Sequence, residues 1–207
     1  MKRIATPPEK TSQPGPGRPR GFVREEALAA ALDVFWRQGY EATSLDDLTE
    51  AMGISRSSFY ACFGSKRGVL LAALEAYSTA AQERLSALSE ETPGAALPVM
   101  LESIAIPKES ANGCMLVNCI TELAPHDPDV TEMGRKHLEA LEEVFARALS
   151  PDDPAASADT ARALVSLAIG TLTLGKSGLP PERIRASLDR ATSLLLPAQT
   201  EAASLAE

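Results

Sequence analysis

The run "ATSLDDLTEAMGISRSSFYACFGSK", residues 42–66, confines two short helices between cap residues and glycines. Thr43 and Ser44 both qualify as N-caps, because Asp46 and Asp47 stand three residues after them and can close a box over the free amides of a helix start. The helix so begun covers Leu45 to about Met52. Gly53 permits a sharp turn, Ser55 can cap the next helix, and Gly64 breaks that helix after Phe63. At about 100° per residue, Phe59 and Phe63 share one face, and Ser57 and Ala61 lie opposite, flanked by Ser58 and Tyr60. The apolar face calls for a preceding helix to pack on. The small polar face leaves room for close approach by something else.

That preceding helix is legible. Leu28, Ala31, Leu32 and Phe35 form an apolar stripe at helical spacing, the pattern starts at Val23, and Gly39 can end it. After Ser65, a cap candidate, a long helix runs through "KRGVLLAALEAYSTAAQERLSAL". "ETPG" and "AIPKESANG" are breaks. Helical segments follow at about 114–123, 130–149, 159–174 and 181–196, with loops at "APHDPD" and "SPDDPAASAD". Neither strand-like alternation nor an internal repeat is found, so the expected class is all-α with about nine helices. The divisions are a disordered basic arm at 1–20, a helix–turn–helix domain at 21–66 and a body at 67–207.

Charge is unevenly spread. Residues 1–67 hold 10 Lys+Arg against 8 Asp+Glu, and residues 68–207 hold 10 against 20. The basic excess lies with the helix–turn–helix, and an acidic body is repelled by DNA and should face away from it. No apolar run approaches the roughly 20 residues of a membrane span, and the N-terminus lacks the apolar stretch of a signal peptide. The expectation is a cytoplasmic protein without membrane contact, its cysteines kept as thiols.

The polar face of the second short helix is therefore read as a face for double-stranded DNA. Arg56 sits at the amino end, which enters the groove in this motif, and arginine reads guanine bidentately. Ser44, Ser55, Ser57, Ser58 and Ala61 permit close approach to base edges and phosphates, while Tyr60 and Lys66 suit phosphate. Arg18 and Arg20, in "GRPRG", can lie in an A·T-rich minor groove. A lack of sequence preference would instead mark an architectural minor-groove binder, and a lack of salt-dependent DNA affinity a ligand-binding protein with a vestigial head.

Enzymatic readings find no support: GxGxxG, HExxH and GxSxG are all missing from the sequence. Cys114 and Cys119 stand about 140° apart on a helix and do not converge on one metal ion. No cofactor is expected. Cys114 follows Gly113 at a helix start, where free amides favour a thiolate, and Lys176 ends an apolar helix. Cys114 is read as an electrophile or oxidant sensor with Lys176 beside it. Met115, Asn118 and Glu122 are expected to line an apolar ligand cavity.

The stretch "YEATSLDDLTEAMGISRSSFYACFGSK" resembles the DNA-binding motif of the TetR/AcrR family of transcriptional regulators. "GCMLVNC", "ELAPHDPDV" and "LGKSG" resemble a branch associated with stress and efflux genes. The resemblance implies a homodimer on a palindromic operator, a three-helix head and a six-helix ligand-binding body. It also implies that the last two long helices pair with their dimer mates in a four-helix bundle. It assigns Thr43, Tyr60 and Lys66 to phosphates and Arg56, Ser57 and Ala61 to bases. Alanine at 61 and cysteine at 62 depart from the family pattern, as do Arg67 and Gly68, where an acidic residue is favoured after the lysine. The base preference therefore does not transfer, and Arg67 suggests raised phosphate affinity.

Overall fold

The computed structural model describes residues 22–91, 96–106 and 113–196, and among them it contains α-helices and no strand. The helices are α1 (Arg24–Gln38), α2 (Leu45–Ala51), α3 (Arg56–Phe63), α4 (Lys66–Glu91), α5 (Ala96–Ala105), α6 (Met115–Leu123), α7 (Pro128–Leu149), α8 (Ala158–Lys176) and α9 (Pro181–Leu195). A single 3₁₀ turn, Pro154–Ser157, lies in the loop before α8. The all-α class and the nine helices agree with the sequence reading.

The caps explain where the short helices begin. Ser44, not Thr43, caps α2: its hydroxyl accepts from Asp47 N, and the Asp47 carboxylate accepts from Ser44 N at 2.8 Å, closing the box. Ser55 caps α3 by accepting from Ser58 N at 3.1 Å. Gly53, at φ 63°, makes the turn between them in a conformation that a side chain would strain. Asp127 caps α7 by accepting from Asp129 N and Val130 N, so α7 begins at Pro128, two residues before the sequence suggested.

Two apolar cores organise the chain. The first joins α1–α3 to the start of α4 and to α6: Phe35, Leu48, Phe59, Leu70 and Leu116 are all buried in it. The second lies among α4, α5, α7, α8 and α9, around Met100, Phe145 and Leu164. Alanine fills much of both, as the low aromatic content requires, so helices approach closely. One such approach is at Gly134 on α7, where a Cβ would meet Ile120 Cγ1 at 2.7 Å. α6 shares the first core with the head while packing chiefly on α7 and α4.

Candidate DNA-binding face and effector cavity

Phe59 and Phe63 are buried, and the other face of α3 is open: Arg56, Ser57 and Ala61 are exposed, and Tyr60 is 54% exposed. Arg56 is held in place by Asp46 on α2, with Nε 3.1 Å from Oδ1. Ser55 shares hydrogen bonds with Ser57 and Ser58 at 2.9 and 3.0 Å. Lys66 sits over the Tyr40 ring at 4.4 Å and donates to Glu41 O at 3.3 Å. Ser44 is exposed at the start of α2. These groups form one continuous polar edge of the head.

Thr43 does not join that edge. It is 2% exposed, and its hydroxyl donates to Gly39 O at 2.6 Å and accepts from Gln38 Nε2 at 3.3 Å. Arg67 is also spent elsewhere: Nε and Nη2 grip Asp127 at 2.9 and 2.7 Å, and Nη2 reaches Asp129 at 2.6 Å. That grip holds the Asp127 carboxyl well below its usual range, at about 2. Arg67 thus ties the base of the head to the α6–α7 loop, which corrects the reading of it as extra phosphate affinity. Arg18 and Arg20 lie outside the described residues.

The body contains a cavity of about 590 Å³ between α1, α4, α5, α6, α7 and α8, walled by Trp36, Tyr77, Leu85, Cys114, Leu141 and Leu172 among others. Cys114 is on the wall, at the N-cap of α6 and 3.5 Å from the Tyr77 hydroxyl that donates to its sulfur. Burial and the adjoining sulfur push the Tyr77 hydroxyl pKa up, so it stays a donor. The other three cavity assignments on α6 are corrected. Met115 is buried in the first core. Asn118 accepts from Lys176 Nζ at 3.0 Å. Glu122 reaches the head, where its carboxylate accepts from Tyr40 N at 3.2 Å and Glu41 N at 3.3 Å.

Met115, Asn118 and Glu122 stand at helical spacing, but each meets a different neighbour. Lys176 does come next to the sensor region: its Cδ lies 3.2 Å from where a Cβ on Gly113 would stand. Its ammonium is directed to Asn118.

Sequence reasoning missed Trp36, Tyr77 and His137 in the wall. His137 is 3% exposed, and its Nδ1 is 2.8 Å from the Ser78 hydroxyl. Burial depresses its pKa to about 4, which leaves it neutral at ordinary pH. A histidine four residues before Leu141 on the same helix face was the available signal. Among the described residues no group of His, Cys, Asp and Glu could hold a metal ion, and no helix is long and apolar enough to cross a membrane.

The sequence model of the family described as "Bacterial regulatory proteins, tetR family" matches residues 27–73. The chain is 34% identical over 143 residues to the HTH-type transcriptional regulator YezE of Bacillus subtilis (strain 168), a match covering 64% of this chain and 71% of that protein. It is 38% identical over 120 residues to the HTH-type transcriptional repressor ComR of Escherichia coli (strain K12), covering 55% and 57%. Among solved structures, a cysteine mutant of the TetR family transcriptional regulator CifR, complexed with 26bp double-strand operator DNA, superposes with a TM-score of 0.71 at 28% identity. That superposition covers 84% of this chain and 97% of CifR.

Proposed function

Since the chain belongs to the TetR family of bacterial transcriptional regulators, we propose that it is a homodimeric repressor released from a palindromic operator when a small ligand or electrophile enters the body cavity. The DNA face is α3 and its rim. Arg56, Ser57 and Ala61 meet base edges, and Ser44, Ser55, Ser58, Tyr60 and Lys66 lie along the phosphates. Two heads related by a two-fold axis bind half-sites about one helical turn apart, so whatever changes their separation weakens binding.

The single observation that carries the coupling is the placement of α6. Its first end carries Cys114 on the cavity wall, and its last turn carries Glu122, bonded to the amides of the α1–α2 loop. A nine-residue helix is stiff, so a displacement at Cys114 is delivered to the head. Ligand release is then a population shift toward the conformation in which the heads no longer match the half-site spacing. CifR, whose solved complex holds operator DNA, supports the DNA-bound arrangement by similarity.

The test is fluorescence-anisotropy binding to the protein's own upstream intergenic DNA and to a scrambled duplex over a salt series. A preference of roughly a thousandfold, falling steeply with salt, is the expected result. N-ethylmaleimide is then added. The Cys114 thiolate sulfur adds to one alkene carbon, and the other takes a proton from water. Wild type should leave the operator and Cys114→Ser should stay. Equal release of both would remove Cys114 from the mechanism, and equal binding to both duplexes would remove the operator-specific reading.

A further inference from the structure

Among the described residues, the cavity wall contains one donor left without an acceptor and a histidine that can offer a second. The Trp36 indole Nε1 is buried with no hydrogen-bond acceptor among the described residues. An unmade bond at a buried donor is unfavourable and is relieved by any acceptor brought within reach.

The second donor is His137. Ser78 Oγ accepts from Gln82 Nε2 at 3.1 Å and lies 2.8 Å from His137 Nδ1, to which its hydroxyl hydrogen can be given. With Nδ1 accepting, the neutral ring carries its proton on Nε2. Both residues belong to the same cavity wall, and the wall's carboxylate is already engaged: Glu102 accepts from Arg185 Nε at 2.8 Å. The Tyr77 hydroxyl proton lies on the Cys114 sulfur. The wall therefore offers donors and asks for an acceptor.

Charge narrows the class further. At this end of the cavity the donors are neutral, and Arg84 stands two turns, roughly 10 Å, along α4 from Tyr77. Much of the remaining lining is aliphatic, including Ala81, Leu85, Leu88, Leu141, Ile169 and Leu172. The donors Trp36 and His137 are themselves neutral; the cation on the same wall is Arg84, which acts electrostatically on the Tyr77 hydroxyl, in a body that carries a twofold excess of acidic residues. The volume, about 590 Å³, is in the range of small-molecule sites.

We propose that the effector is an uncharged compound whose carbonyl oxygen accepts hydrogen bonds from Trp36 and His137. This rests on the reading of the body cavity as the effector site and names what it takes. It also adds a route to the head. Trp36 is on α1, so the bound carbonyl bonds to the first helix of the DNA-binding head itself, without α6 as intermediary.

Trp36 is the single tryptophan of the chain, which makes it its own reporter. Protein with ¹⁵N-labelled tryptophan shows one indole N–H resonance. It is titrated with 2-acetylnaphthalene (an uncharged ketone), 2-ethylnaphthalene (the same shape without an acceptor) and 2-naphthoate (the anion). The ketone is expected to shift the resonance downfield, to saturate, and to bind about tenfold or more tighter than the hydrocarbon. In Trp36→Phe, read by calorimetry, the ketone should lose its advantage over the hydrocarbon, the ratio of their affinities falling to about one, and retained hydrocarbon binding shows the cavity intact. If Trp36→Phe does not fold, the native resonance alone decides. The proposal is overturned if ketone and hydrocarbon bind alike, if naphthoate binds tightest, or if none of the three binds. Binding is read without DNA, so failure here leaves the operator reading standing, and failure to bind an operator leaves this one standing.

Discussion

Cys114 and Cys119 are five positions apart on or beside one short helix, and they meet opposite surroundings. Cys119 is buried in the first core, where loss of water and the nearby Glu122 push its thiol pKa up to about 12. Cys114 lines the cavity. N-ethylmaleimide at neutral pH should therefore label Cys114 in the native protein and reach Cys119 only on unfolding, as peptide mass spectrometry with and without denaturant would read. Labelling of Cys119 at the rate of Cys114 would show that the first core opens easily. Arg56 presents a different residue-scale question, because the guanidinium proposed to read bases is bonded to Asp46 before any DNA arrives. The pair is well exposed, so it contributes little to stability and acts by aiming the side chain. Asp46→Ala should leave thermal unfolding within a degree or two and lower the ratio of operator to scrambled-duplex affinity about threefold or more, with non-specific binding rising as a negative charge leaves the face.

At the scale of single helices, the caps and the α6 contacts carry the expectations. Ser55→Ala removes the cap of α3 and should cost about 1 kcal/mol in urea unfolding, with a larger loss of operator affinity because α3 is the proposed reading helix. Glu122→Ala removes the acceptor from the α1–α2 loop. It should reduce the effect of N-ethylmaleimide on operator affinity by about threefold or more while leaving cavity binding unchanged. An unaltered response would mean that α6 does not transmit through Glu122. Such helices were largely legible from the chain, because glycines, serines and aspartates mark their ends and apolar spacing marks their faces. The Phe59/Phe63 face and the Ser44 and Ser55 caps stand where that logic puts them. It did not reveal which neighbour each face meets. Glu122 read as a cavity residue because it stands one turn after Asn118, yet a helix turns its side chains toward whatever packs there, and the α1–α2 loop packs against that end. Nothing in a linear pattern shows that Trp36, on α1, also borders a space enclosed by α4 and α6. Thr43 and Ser44 were equal as caps until the Gly39 carbonyl claimed one hydroxyl.

For the whole molecule, burial of His137 makes folding sensitive to mild acid. Its folded pKa, about 4, lies below the ordinary 6.5, so above pH 6.5 it is neutral in both states and contributes no pH dependence. As pH falls from 6.5 through 4 the unfolded chain takes up a proton that the folded one refuses, and stability drops, by about 3 kcal/mol when the fall is complete. Denaturant midpoints measured from about pH 7.5 to 4 should decline in this window, and His137→Gln should flatten the decline. A slope unchanged by the substitution would assign the acid sensitivity to other groups. One consequence concerns the making of chimeras. Regulators of this kind invite the exchange of reading heads to redirect one sensor to another's promoter. Here the head supplies Trp36 to the chamber and the Tyr40 and Glu41 amides to Glu122. A transplanted head would take part of the chamber wall with it, so the hybrid would inherit a new address and an altered sense of smell together.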